Sequence, residues 1–333
     1  MKLGIARPPE DTDSFFSEIL ADFRAHHHVS VFTERTIQSP AFHSRLNRRL
    51  YRYDWQKFLQ AHDVVFFEWA SRYLVDATQF PKTCGLVTRL HRFEMYEWAE
   101  RVNWDVVDKI ILVSHAKQRD FNRRFPGYEA KTMVIPEGTS LARFQVQSRP
   151  FNGDIGTLCH LRPRKRVYEL ILAFAELAKV RDDVHLHIAG GEAPLLGDYF
   201  EAMQVAVQKL KLQDRVTFYG RTSDPENWYR NIDIFVSNSY SEGLQLAPME
   251  AVASGCYALV HDWDGADELL PSEYLYLTDN ELIARINDFC NLPDAERQQH
   301  CERQLAIVHE NFDINDIKTQ IRHVVEEVGE QHQ

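Results

Sequence analysis

The chain has 333 residues, 44% of them hydrophobic and 26% charged, which is the composition of a soluble globular protein and length enough for two domains with separate cores. The formal net charge of −11 argues against a general nucleic-acid binder, but residues 1–150 carry 22 Lys and Arg against 18 Asp and Glu, and the remainder 16 against 31. The basic front half suits an acceptor that carries phosphate, or the surface of an anionic membrane.

Lys2 to Ala6 reads as a first strand. After a polar loop, Asp13 is placed to cap a helix whose Phe16, Ile19, Leu20 and Phe23 recur at helical spacing. No G-x-G-x-x-G follows, so a dinucleotide site is not supported. The triplet His26 to His28 has no carboxylate or cysteine at ligand spacing and reads as a loop. A strand over Val29 to Phe32 comes next. Arg45 to Lys57 then sets five cations among leucines, tyrosines and Trp55. As a helix it fits either an anionic bilayer surface or a solvated connection.

Asp63 to Phe67 and Cys84 to Thr88 are further strands. Glu68 and Trp69 sit at the end of the first, where parallel sheets present functional groups. The second runs into the polar cluster Arg89 to Glu94, with His91 at its centre. A strand from Lys109 and a helix over His115 to Phe125 lead to Lys131–Ile135 and then PEGTSLARF. The aperiodic stretch Gln145 to Gly153, with Ser148 and Pro150, is a linker. Residues 1–148 therefore form a first Rossmann-like domain and 149–312 a second.

The alternation restarts with a strand over Asp154 to Cys159 and a helix carrying Val167, Leu170, Ile171, Phe174 and Leu177. Arg162, Arg164 and Lys165 cluster at the beginning of that helix, where cations oppose its dipole. A pyrophosphate would compensate them. Val184 to Ala189 leads into Gly190, Gly191 and Glu192, and Arg215 to Tyr219 into Gly220 and Arg221; glycines here let backbone approach a flat ligand. A buried strand ends at Val236, and SNSYSEGLQLAPMEAVASG follows from Ser237. Pro248 suits a first helical turn and Gly255 a stop, placing Glu242 in the loop and Glu250 in the first turn. A strand, a glycine-containing loop and a helix N-terminus form an anion site. Two carboxylates beside it are better used to accept hydrogen bonds from hydroxyls. A nucleotide sugar, with a pyrophosphate between two polyols, is the matching ligand.

Glu242-x7-Glu250 resembles the E-x7-E motif of family 4 glycosyltransferases, which retain anomeric configuration and have the GT-B fold. The resemblance implies that Glu242 serves the donor sugar and Glu250 the ribose. It also implies donor contacts from Gly243, Leu244, Gln245 and Leu246, with Gln245 where the family often has a second glycine. The cluster around His91 is similar to the family's histidine-bearing loop, and VIPEGTSLARF to its domain-closing loop, with Gly138 and Phe144 kept. HLRPRK is similar to G-R-L-x-x-x-K, with Lys165 on the lysine and His160 on the arginine position. Either Arg162 or Arg164 then replaces that arginine. Catalytic roles are implied for His91, Lys165 and Glu242, and donor binding for His160, Gly191 and Arg221 as well.

Asp264 and Gly265 follow a later strand, and either a sugar contact or a plain loop fits them. Helices over Asp279 to Phe289 and Asp294 to His309 precede Asp313 to Val328, which in a GT-B fold crosses back to the first domain. The expected architecture is two Rossmann-like α/β domains facing across a cleft. The expected reaction moves a hexose from a UDP- or GDP-type donor to an acceptor hydroxyl of a glycan, a lipid-linked sugar or a small molecule. No metal or cofactor is expected, since no D-x-D arrangement is held by context. A nucleotide-sugar epimerase or phosphorylase on the same fold, or a non-catalytic nucleotide-sugar sensor, are the alternatives. No run of about 18 apolar residues exists, MKLGIARPPE lacks a signal-peptide core, and the five cysteines form no C-x-x-C pair. A cytoplasmic protein, at the inner membrane surface if the basic helix docks there, is expected.

Overall fold

The computed structural model describes residues 1–7, 16–37, 43–147, 149–191 and 196–332. Asp13, Ser148 and Glu192 lie outside them. The chain forms two compact units, Met1–Pro136 with Asn315–Gln333, and Glu137–Ile314.

In the first unit, β1 (Lys2–Ala6), β2 (His28–Val31), β3 (Val64–Phe67), β4 (Gly85–Leu90), β5 (Lys109–Leu112) and β6 (Thr132–Val134) form one sheet in the order β2-β1-β3-β4-β5-β6. Every pairing is parallel. The continuous apolar run of β3 follows from this, because a parallel sheet is covered on both faces, and every residue of β3 and β4 is buried. Phe16, Ile19, Leu20 and Phe23 are buried as their spacing requires. His26 to His28 is not a loop: it closes the helix Ser17–His26 and opens β2, and His27 Nε2 lies 3.1 Å from Glu326. β4 also runs past Thr88, so Arg89 and Leu90 are strand residues inside the sheet.

The helix Ile314–Glu330 turns Ile317, Ile321, Val325 and Val328 into this unit. Arg322 Nε donates to Asp22 at 2.9 Å. A β-carbon at Gly85 would stand 2.5 Å from Val328, so a larger residue there would force Val328 to shift. The basic helix spans His43–Ala61. Trp55 and Leu59 are buried, with Trp55 stacked on Phe32 at 3.9 Å, while Arg45, Arg48, Arg49, Arg52, Tyr53 and Lys57 are exposed.

The second unit repeats the plan with β7 (Asp154–Leu158), β8 (His185–Ala189), β9 (Val216–Gly220), β10 (Ile234–Ser237), β11 (Tyr257–His261) and β12 (Leu275–Tyr276), in the order β12-β11-β10-β7-β8-β9. All pairings are again parallel. β12 is two residues long and gives no periodicity to read. Residues 137–147 pack with this unit, so the boundary lies before them and not at 148. Phe144 meets the Tyr229 ring edge-on at 5.9 Å, and Arg143 donates twice to Glu226, at 2.9 and 2.7 Å. Thr139 bridges to Asp313 in the same unit. Gly138 is not among the glycines at positive φ.

Candidate active site

In the second sheet β7 and β10 are neighbours, but the chain leaves β7 towards β8 and β10 towards β11 on the opposite side. This is a topological switch point, where the two crossovers diverge and open a crevice at the carboxyl ends of the strands. The segments that follow these strands carry Arg164 and Lys165 on one side and Glu242 on the other.

Glu242 is buried, with 7% exposure, and is gripped by two cations. Lys165 Nζ donates to its Oε1 at 2.5 Å, and Arg164 Nη1 lies 2.5 Å from Oε2. Arg164 Nη1 also donates to the Ser241 carbonyl, and Tyr240 N donates to the Arg164 carbonyl at 3.2 Å, so the two loops are tied through backbone as well. Burial alone would raise the Glu242 pKa, but Lys165 and Arg164 outweigh it and hold the carboxyl below its ordinary range. The cations do not occupy the first turn of the long helix. They sit in a short 3-10 turn, Pro163–Lys165, and the helix begins at Val167 with Glu169 in its first turn. The reversal between them is made by Arg166 at φ 50°, a left-handed residue without glycine's freedom. Asn238 Nδ2 fixes it by donating to the Arg166 carbonyl at 2.9 Å, and Tyr276 OH donates to Asn238 at 2.8 Å.

The helix after the loop spans Leu246–Ala253 and ends before Gly255 at φ 99°. It starts two residues before Pro248, which places Glu250 a full turn inside it and not in the first turn. Gln245 is the N-cap but makes no capping bond; its side chain accepts from Ser237. Gly243 and Leu244 are buried beside it, and Leu246 is the first helical residue. Glu250 Oε2 accepts from Tyr229 OH at 3.0 Å. Burial raises its pKa, against the pull of Tyr229 and Arg143. Tyr229 carries no motif signal in the sequence, and Arg143 lies in VIPEGTSLARF without an assigned role; position in the fold reveals both.

At the ends of β8 and β9, Gly190 (φ 135°) takes the Cys159 carbonyl against its α-carbon: an added β-carbon would lie 1.7 Å from that oxygen. Gly191 faces Arg221, and Leu161 N donates to the Gly191 carbonyl at 3.0 Å. Burial, then Arg162, Lys165 and Arg221, lower the His160 pKa, so these four side chains share one neighbourhood. Arg164 reaches Glu242. Gly265 (φ 102°) and Asp264 form the turn before a short 3-10 segment.

In the first unit His91 caps the short helix Arg92–Glu97 at the end of β4. Its Nε2 lies 3.0 Å from Glu68 Oε1, which also accepts from Arg89 Nη1 at 3.2 Å. Burial raises the Glu94 pKa, partly countered by His91. Among the described residues no group of three or more His, Cys, Asp or Glu could hold a metal ion.

Residues 143–304 match the family model described as Glycosyl transferases group 1. The alpha-monoglucosyldiacylglycerol synthase of Streptococcus pneumoniae (strain ATCC BAA-255 / R6) is 28% identical over 200 residues, which is 54% of this chain and 44% of that protein. The poly(glycerol-phosphate) alpha-glucosyltransferase of Bacillus subtilis (strain 168) is 29% identical over 170 residues, 49% of this chain and 24% of that protein. The matched regions thus span less than half the length of these relatives. Among solved structures, Anabaena Alr3699/HepE in complex with UDP superposes with a TM-score of 0.80 at 20% identity, covering 98% of this chain and 99% of that one. The sucrose-phosphate synthase of Thermosynechococcus elongatus gives 0.75 at 19% identity, covering 98% of each chain. The chain has the GT-B fold.

Proposed function

We propose, from the match of residues 143–304 to the glycosyl transferases group 1 family, that this protein is a retaining hexosyltransferase. It takes a hexose from a nucleoside diphosphate sugar of UDP or GDP type and passes it to an acceptor hydroxyl in glycan or glycolipid synthesis. The observation that carries this reading is the convergence of Lys165 and Arg164 on Glu242 at the switch point, one loop away from the helix that bears Glu250.

As the glycosidic bond to the donor sugar breaks, negative charge grows on the departing pyrophosphate. Catalysis requires groups that stabilise this charge more than they stabilise the ground state. Lys165 and Arg164 are such groups: cationic, and fixed before the reaction by contacts within the fold. They supply the positive charge from the chain itself, which makes the proposed reaction metal-independent. The amides around Gly243 and Leu244 and the N-terminus of the following helix add partial positive charge at the same mouth. Glu242 then serves hydroxyls of the donor sugar. Glu250, oriented by Tyr229, serves the ribose. Both carboxylates bind hydroxyls, so they are not a glycosidase pair.

We assign the acceptor and His91 to the first unit. Its helix His43–Ala61 keeps Trp55 and Leu59 in the core and turns Arg45, Arg48, Arg49 and Lys57 outward. That division suits peripheral contact with an anionic membrane from the cytoplasmic side. The five cysteines, all free, fit a reducing compartment.

Incubation with a panel of UDP-, GDP- and ADP-sugars, followed by measurement of released nucleotide and of the sugar's fate, tests the proposal. A transferase releases nucleotide and labels an acceptor. An epimerase changes the sugar without releasing nucleotide, a phosphorylase requires phosphate, and a sensor binds without turnover; any of these three results would displace the hexosyltransferase reading.

A further inference from the structure

Glu68 follows β3 directly and is fully buried; Arg89, within β4, is 1% exposed, and His91 is 9% exposed. Glu68 Oε1 receives Arg89 Nη1 at 3.2 Å and stands 3.0 Å from His91 Nε2. Arg89 is held from its other side, Nη2 donating to the Pro136 carbonyl at 3.1 Å. The His91 ring also lies 6.1 Å from the Trp69 ring, at an interplanar angle of 32°. Nothing in the proposed reaction uses Glu68 or Arg89, yet burying two opposite charges is costly unless each has its partner.

We propose that Glu68 is the positioning residue of His91, with Arg89 as the strut that fixes Glu68. A guanidinium stays protonated, so the buried Arg89 needs an ionised neighbour, and Glu68 is the carboxylate in contact with it. An ionised carboxylate can only accept. The proton between Glu68 and His91 therefore sits on Nε2, and whenever the imidazole is neutral it is the Nε2–H tautomer with its lone pair on Nδ1. Trp69 stands beside the ring. This inference rests on the assignment of His91 to the transfer reaction, but the tautomer itself does not depend on that assignment.

The test uses full-length protein labelled with 15N-histidine, with the His91 signals assigned by their loss in His91→Gln. Long-range 1H–15N correlation of the wild type, recorded at a pH high enough that the ring is neutral, is expected to give the Nε2–H pattern. An Nδ1–H pattern would overturn the proposal without any Glu68 variant. Glu68→Gln leaves Arg89 without its counter-charge and is expected to melt lower, but it keeps an accepting oxygen, so the folded variant is expected to keep the tautomer and most of kcat. Glu68→Ala is expected to give mixed tautomers and to lower kcat roughly 10–100-fold, the usual effect of removing a group that orients a site residue, with donor KM little changed. In a His91→Ala background, Glu68→Ala is expected to cost nothing further. A purely structural ion pair predicts the reverse pattern: Gln as damaging as Ala, and losses that multiply with His91→Ala. Absence of transferase turnover in the wild type would sink the functional reading alone and leave the tautomer measurement standing.

Discussion

Lys165 Nζ and Glu242 Oε1 stand 2.5 Å apart in the second unit, each serving as the other's counter-charge. Glu242 is shared with Arg164, so three side chains from two loops form one charged group over the switch point. In the proposed reaction, the incoming pyrophosphate takes up the cations and leaves the carboxylate for sugar hydroxyls. Lys165→Ala is therefore expected to lower kcat/KM by about 10²–10³-fold, the scale of losing one fixed donor to developing charge. Melting temperature should fall modestly, because Arg164 still neutralises Glu242. Steady-state kinetics and thermal unfolding on one preparation check both.

Glu242 also predicts a pH dependence of stability. Its folded-state pKa is held below the unfolded value, so its contribution is present above the unfolded carboxylate range and is lost as pH falls through the folded pKa. Denaturant unfolding of wild type from neutral to strongly acidic pH should show this loss. Glu242→Gln, which cannot ionise, should lack that component and lie below wild type at neutral pH.

Glu250 should behave oppositely. Burial raises its folded-state pKa above the unfolded value, so stability is greatest below the unfolded pKa and declines as pH rises through the folded one. Glu250→Gln is expected to melt higher than wild type at neutral pH while binding nucleotide about 10–100-fold more weakly, the loss of a hydrogen bond to a charged group. A gain in stability with a loss of binding separates a ligand-facing carboxylate from a structural one.

The basic helix of the first unit is expected to bind anionic bilayers. Each cation near such a surface contributes about 1 kcal/mol. Arg45→Glu, Arg48→Glu and Arg49→Glu combined should therefore lower partition onto phosphatidylglycerol vesicles by more than about 100-fold. Binding to phosphatidylcholine should not change. Co-sedimentation at low and physiological salt measures this, and the wild-type affinity should fall as salt rises.

Much of the fold is legible in the sequence because parallel strands buried on both faces leave uninterrupted apolar runs: Val64–Phe67 and Ile234 to Val236 are such runs. Gly255 also gives clear helix punctuation, as a stop. Other features require three dimensions. Arg89 is charged and reads as loop, but Glu68, distant in sequence, neutralises it inside the sheet. The boundary at 136 is set by Phe144 and Arg143 meeting Tyr229 and Glu226, contacts that the aperiodic stretch after them does not announce. Within the site, Glu242 and Lys165 are visible as motif positions. Tyr229, which holds Glu250, looks in the sequence like any tyrosine of a short amphipathic turn.

Whether the mouth before Leu246 grips a nucleoside diphosphate is decided by calorimetric titration of UDP and GDP into wild type, Lys165→Ala and Glu250→Ala. Wild type is expected to bind at least one nucleotide saturably and one-to-one, with a loss of at least about tenfold in affinity in each folded variant. Equal affinity in all three proteins, or no binding of either nucleotide by wild type, would refute that grip.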